Sequence, residues 1–202
     1  MTMMKKHTVL YSVIILLLFF CFPEVIISSS TSYYFRTLGI NDGLSQSTVN
    51  AILQDQKGFM WIGTKDGLNQ YDGQECRVFQ KENSSLGNNF ITALYEDCEG
   101  YIWVGTDAGV YIYNPVQEAF QFLDTEIAFS GEKITRAVTW ITSDSQNNIW
   151  ISVDNQGLFC YNRGKKNLTK VVSCGESGIA NVTHFWFYAG QLWIARYEDN
   201  LY

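Results

Sequence analysis

Proline is scarce in this chain, with only Pro23 and Pro115 among 202 residues. Disordered chains are typically rich in proline and charge and poor in aromatics, whereas here 47% of residues are hydrophobic and 15% aromatic. Basic residues are outnumbered 14 to 20, for a formal charge of −6. Phosphate neutralisation needs clustered Lys and Arg, so no direct nucleic-acid contact is expected. The five cysteines include no Cys-x-x-Cys pair, which argues against a zinc site or a redox motif. Cys76, Cys98, Cys160 and Cys174 read as small packed or surface thiols, although an exported chain could pair them. No metal or cofactor is implied.

Long apolar runs are limited to one, from Val9 to Phe22, behind Lys5 and Lys6. It is long enough for the core of an export signal and short for a span of about 20 residues. Pro23 ends the run, and Ser28, Ser29 and Ser30 offer a cleavage region. Residues 1–30 therefore read as a signal peptide or, if uncleaved, an N-terminal membrane segment. Cys21 follows the bulky Leu18, Phe19 and Phe20 and is not read as a lipidation site.

What the chain does have is a repeated phrase. "GFMWIGTKDGLNQYDG" begins at Gly58, and "GYIWVGTDAGVYIYNP" begins at Gly100. Aligned on tryptophan, Trp61, Trp103, Trp150 and Trp193 are 42, 47 and 43 residues apart, the spacing of a propeller blade. The first unit reads as four strands, "VNAILQD", "FMWIGT", "LNQYD" and "CRVFQ", with tight turns between them. The second matches piece by piece, the third is legible with Asn147 and Asn148 in place of the turn glycine, and the fourth supplies "VTHFWFY" and "LWIARYE". The expected fold is all-β, an incomplete propeller of four-stranded antiparallel blades, about three full blades and part of a fourth. Its domain is residues 31–202, with units near 43–80, 86–123, 134–172 and 181–202.

Strand polarity gives a second argument. In "FMWIGT" both faces are apolar, Phe59 and Trp61 on one side and Met60 and Ile62 on the other, so both must be covered. Radially stacked sheets do this, while a two-sheet sandwich leaves one face of each sheet wet. The tryptophans are expected to fill the space between blades, each worth about 4 to 6 kcal/mol as an upper figure. Gly58 and Gly100 suit positive φ in a hairpin turn, with Asp55 and Asp97 able to accept nearby amides. Gly63 and Gly105 lie inside strands, where glycine signals close approach of a neighbour.

Asp55, Gly58, Trp61, Ile62, Gly63, Thr64, Gly67, Leu68, Tyr71 and Asp72 together resemble the two-component regulator propeller repeat. The second unit keeps Asp97, Gly100, Trp103, Gly105, Thr106, Gly109 and Tyr113, the third Asp144, Trp150, Gly157, Leu158 and Tyr161, and the fourth little beyond Trp193. The lead-in from Tyr33 is similar to the opening of the first propeller in hybrid two-component sensors. That resemblance implies a periplasmic sensor, anchored in the inner membrane by later parts and followed by a histidine kinase that signals by phosphorelay. It implies oligosaccharides as ligands and glycan-utilisation genes as the output. The remainder of the sensor propeller and a second copy, forming a homodimer, are its implied protein partners. Closure of such a ring would use a strand within residues 33–38, and an open blade edge would favour aggregation.

The chain itself shows no catalytic constellation. His184 alternates with large aromatics and reads as a packed histidine. Neighbouring carboxylates, Glu96 with Asp97 and Glu198 with Asp199, read as solvated. Two other readings stay open, a protein-interaction scaffold and a glycoside-processing propeller enzyme whose carboxylate clamp would draw on Arg36, Arg77, Arg136, Arg163 and Arg196. For a sensor, loops between second and third strands emerge beside the linkers between blades. Lys65, Asp66, Asp107, Asp154, Asn155, Gln156, Arg196 and Tyr197 are thus the candidate ligand-binding residues around one mouth.

Overall fold

A computed structural model describes residues 33–126, 131–173 and 182–196. The expected leader, Cys174, Tyr197, Glu198 and Asp199 lie outside these. Three sheets are four-stranded antiparallel meanders. Blade 1 is β1 (Val49–Gln54), β2 (Met60–Thr64), β3 (Gly67–Tyr71) and β4 (Cys76–Phe79). Blade 2 is β5 (Ile91–Glu96), β6 (Ile102–Thr106), β7 (Gly109–Asn114) and β8 (Ala119–Phe122). Blade 3 is β9 (Val138–Ser143), β10 (Ile149–Val153), β11 (Gly157–Asn162) and β12 (Asn167–Ser173). The described part of blade 4 is the pair β13 (Val182–Tyr188) and β14 (Gln191–Arg196). The first strands of successive sheets adjoin, β1 to β5, β5 to β9 and β9 to β13, which is the fan arrangement of a propeller.

One aromatic pair marks each seam between sheets. Trp61 lies 5.0 Å from Tyr113 of blade 2, Trp103 lies 5.5 Å from Tyr161 of blade 3, and Trp150 lies 5.1 Å from Phe187 of blade 4. Trp61 and Trp103 are buried and Trp150 is half-buried. Trp193 departs from the expectation: it is half-exposed and stacks on Trp186 of its own sheet, because among the described residues no further sheet covers that face.

Close approach explains the strand glycines. A Cβ at Gly63 would lie 2.5 Å from Ile91, and one at Gly105 would lie 2.7 Å from Val138, each on the first strand of the next blade. Blade 3 has Ser152 at this position, and its hydroxyl donates to the Val182 carbonyl at 2.7 Å. The seam therefore accepts a side chain only where that side chain bonds across it.

A further stitch was not anticipated from the strand pattern. In all four sheets the register slips at the second residue of the first strand, at Asn50, Thr92, Thr139 and Thr183. Asn50 donates to the Ile91 carbonyl at 2.8 Å, and Thr139 donates to that of Val182 at 3.1 Å. The bulge residues of blades 1 and 3 thus bond the first strand of the next blade, whereas the Thr92 hydroxyl of blade 2 is buried with no hydrogen-bond partner among the described residues.

The strand expected within residues 33–38 was to pair with the last blade of a closed ring, and no such blade is among the described residues. Residues 33–39 carry no regular structure, and the first element is a 3-10 turn at Ile40–Asp42. Just after it, Ser45 is tied to the buried Asn69 of β3, whose side chain accepts from Ser45 N at 2.8 Å and donates to the Ile62 carbonyl at 2.9 Å. Ser45 is held to blade 1 through this polar knot rather than through a ladder. Cys76, Cys98 and Cys160 are free thiols.

Candidate functional site

The two ends of the blades present different chemistry. At one end, the loop face, lie the β2–β3, β6–β7 and β10–β11 loops together with the linkers between blades. The β2–β3 loop is held by Thr64, whose hydroxyl donates to the Gly67 carbonyl at 3.0 Å, and Thr106 repeats this with Gly109 at 2.9 Å. Each loop is also bonded to the segment before a first strand: Lys65 N donates to Thr48 O, Asp107 N to Phe90 O and Asp154 N to Ala137 O.

The candidate residues fall on this face in two groups. The Lys65 ammonium lies 5.9 Å from the centre of the Phe90 ring, and Asp66 accepts from the Asn89 side chain at 3.1 Å. Asp107 is exposed and shares Phe90 through its amide, so the first two loops meet at one linker residue. Asp154 accepts from the Asn155 side chain at 3.1 Å, and Gln156 donates to the Lys133 carbonyl at 3.0 Å. Asn155 and Gln156 line a shallow cavity of about 460 Å³ with Lys133, Arg136 and Lys170. The Gln156 Oε1 atom is buried and has no hydrogen-bond partner. Arg196 is described only as the last residue of β14, and Tyr197 lies outside the described residues.

At the other end, the turn face, a single carboxylate organises the turn between the first two strands in blades 1, 2 and 3. Asp55 Oδ1 accepts the amides of Lys57 and Phe59 at 3.0 and 2.9 Å, and Oδ2 accepts the Trp61 indole N–H at 2.8 Å. Asp97 does the same for Glu99, Tyr101 and Trp103, and Asp144 for Gln146, Asn148 and Trp150. The turns close through positive φ at Gly58 and Gly100, and in blade 3 Asn147 supplies it at φ 61°. Aspartate, turn and tryptophan are therefore one unit, and the indole is fixed at both its polar and its apolar edge.

This corrects the reading of Glu96 and Asp97 as solvated. Asp97 is 2% exposed, and the Arg163 guanidinium lies 3.2 Å from its Oδ2 and 2.6 Å from Glu99. Burial raises the Glu96 carboxyl above its usual range, and the nearby Asp55 and Asp97 charges add to this, while the bond from Gln56 N opposes it. His184 is exposed rather than packed inside, resting against Trp140 at 4.7 Å. Three of the candidate arginines do not converge: Arg77 pairs with Glu118, Arg163 plugs the blade 2–3 seam, and Arg136 lies at the loop-face cavity. The signal for the turn unit was present as an aspartate six residues before Trp61, Trp103 and Trp150, but its bond to the indole depends on how the turn curls.

Residues 43–66 and 85–108 match the family model described as two component regulator propeller. A histidine kinase of Formosa agariphila is 40% identical over 53 residues, which is 26% of this chain and 4% of that protein. The crystal structure of the extracellular domain of a hybrid two-component system from B. thetaiotaomicron superposes with a TM-score of 0.66. The match is 27% identical and covers 80% of this chain and 24% of that one. The chain thus spans about a quarter of that domain and a far smaller part of the kinase. The matched segments enclose the first turn units, the indoles of Trp61 and Trp103 and the strand glycines beside them. Blades 1 and 2 are accordingly built on two-component regulator propeller repeats, within a chain similar to the extracellular domain of a hybrid two-component sensor.

Proposed function

We propose that this chain is the N-terminal ligand-sensing part of a hybrid two-component sensor histidine kinase, displayed in the periplasm and anchored in the membrane by other parts of the protein. Its ligand is an oligosaccharide, and its output is control of glycan-utilisation genes through a kinase module outside this chain. The observation that carries this reading is the 27% identity to a hybrid-system extracellular domain over 80% of the chain. The loop face supports it: Lys65 with Asp107, and Asn155 with Gln156, lie there on loops whose backbone is bonded to the segment entering the same blade. Signalling then requires ligand to favour one arrangement of the receptor over another, since only differential affinity shifts such an equilibrium.

Calorimetry on the intact receptor with a panel of oligosaccharides tests this, using Lys65→Ala, Asn155→Ala and Arg196→Ala. At least one variant is expected to bind about tenfold more weakly, equivalent to about 1.4 kcal/mol. Unchanged affinity in all three removes the loop face, and absence of binding by any oligosaccharide removes the ligand class.

A further inference from the structure

The repeat provides its own internal comparison at the turn face. In the seam between blades 2 and 3, Arg163 reaches from the β11–β12 turn and ligates Asp97 and Glu99. It does so beside Trp103 and Tyr161, whose rings are 5.5 Å apart. One blade earlier the same walls recur, Asp55 under the paired rings of Trp61 and Tyr113. The residue that follows Asn114, in the place Arg163 takes after Asn162, is Pro115. A cleft of about 570 Å³ remains, lined by Asp55, Phe59, Trp61, Glu96, Tyr113 and others; Arg77 of β4 also lines it, but its guanidinium is paired with Glu118.

The charge in this cleft suits a cation. Asp55 Oδ2 receives the Trp61 indole as its hydrogen-bond donor, where Asp97 Oδ2 has the guanidinium in addition. Glu96 borders the cleft and accepts from Gln56 N at 2.9 Å, leaving carboxylate lone pairs available. Two other acidic residues of the lining are already engaged, Glu99 by Arg163 and Glu118 by Arg77. Lys57 stands where Glu99 stands in the sister seam, so the second anchor comes from Glu96, and part of its charge is offset. Two carboxylates bordering one cleft favour a planar guanidinium, which carries several donors in a fixed fork, over ammonium.

We infer that the cleft between blades 1 and 2 is a binding site for a guanidinium group, supplied by a small molecule or by an arginine side chain of another protein. The occupant takes the place that Arg163 fills one seam along, with Asp55 and Glu96 as its anchors, beside the buried rings of Trp61 and Tyr113. This site lies on the turn face and does not depend on the sugar-sensing reading.

The test is an NMR titration of the ¹⁵N-labelled chain with agmatine, observing the indole N–H signals of Trp61 and Trp103. Trp61 is expected to shift saturably, with a dissociation constant on the order of 1 mM, while Trp103 stays still. Pro115→Arg is expected to abolish the Trp61 response by filling the cleft from within, and Glu96→Gln to weaken it about tenfold. Conversely, Arg163→Ala is expected to make Trp103 respond as well. A silent Trp61, or a response unaffected by both Pro115→Arg and Glu96→Gln, overturns the inference. A tripeptide Gly-Arg-Gly run beside agmatine separates the sources: tighter peptide binding marks a protein partner, and equal binding marks a small molecule.

Discussion

Trp103 and Trp193 occupy the same place in their repeats, on the second strand two residues before a small residue, yet Trp103 is 2% exposed and Trp193 49%. Trp103 meets Tyr161 of the following sheet and bonds Asp97 through its indole N–H. Trp193 meets only Trp186, its partner in the β13–β14 ladder, among the ring contacts described. Strand position places the indole on a face; only the neighbouring sheet buries it. The energetic content of a repeat residue is thus a property of the seam, as expected for repeat proteins whose stability resides largely in nearest-neighbour interfaces.

The largest expected effect comes from breaking the two tryptophans in turn. Trp103→Ala should destabilise the chain by about 3 to 5 kcal/mol, and Trp193→Ala by about 1 kcal/mol or less, read as shifts in urea unfolding midpoint. Equal losses would show that exposure in this structure does not report the seam. Next in size is the glycine that sets the spacing. Gly105→Ala puts a methyl against Val138 and should cost about 1 to 3 kcal/mol, whereas Ser152→Gly in blade 3 loses only the bond to Val182, about 1 kcal/mol, in the same unfolding assay.

The smallest effect concerns the turn carboxylate of blade 3. Burial pushes the Asp144 carboxyl upward, but the indole of Trp150, the side chain and amide of Asn148 and the amide of Gln146 pull harder, and its net position is below the ordinary value of 3.8. A depressed folded pKa adds stability that is present above the unfolded value and lost as pH falls through the folded one. Unfolding midpoints should therefore drop below about pH 4, and Asp144→Asn should reduce the part of that drop due to this residue. An unchanged acid limb in Asp144→Asn would show that this turn contributes nothing to acid sensitivity.

Much of the architecture was legible because its causes are local. The spacing of Trp61, Trp103 and Trp150, the turn glycines and the two-sided apolar strands each require a stacked sheet, and the sheets are there. What escaped the sequence was whatever depends on a second blade. The bulges at Asn50 and Thr139 looked like ordinary polar alternation, since their carbonyl partners lie 41 and 43 residues away. Asp97 looked solvated because Arg163, which covers it, is 66 residues later. His184 looked packed because its neighbours in sequence are aromatic, but it is exposed and rests against Trp140. The loop-face residues could be assigned to one end by topology alone, but their grouping around Phe90 and Lys133 required the linkers to be placed.

The pairing of a glycine with a tryptophan on one strand has a geometric consequence. At Gly63 the adjoining sheet comes within 2.5 Å of where a methyl would be, while two residues back the gap holds an indole and a phenol with centroids 5.0 Å apart. The seam between blades 1 and 2 is therefore pinched beside Gly63 and wider beside Trp61. At its rim, where Pro115 stands in the place of Arg163, a cleft stays open, whereas Arg163 fills the corresponding place one seam along between ladders of the same kind.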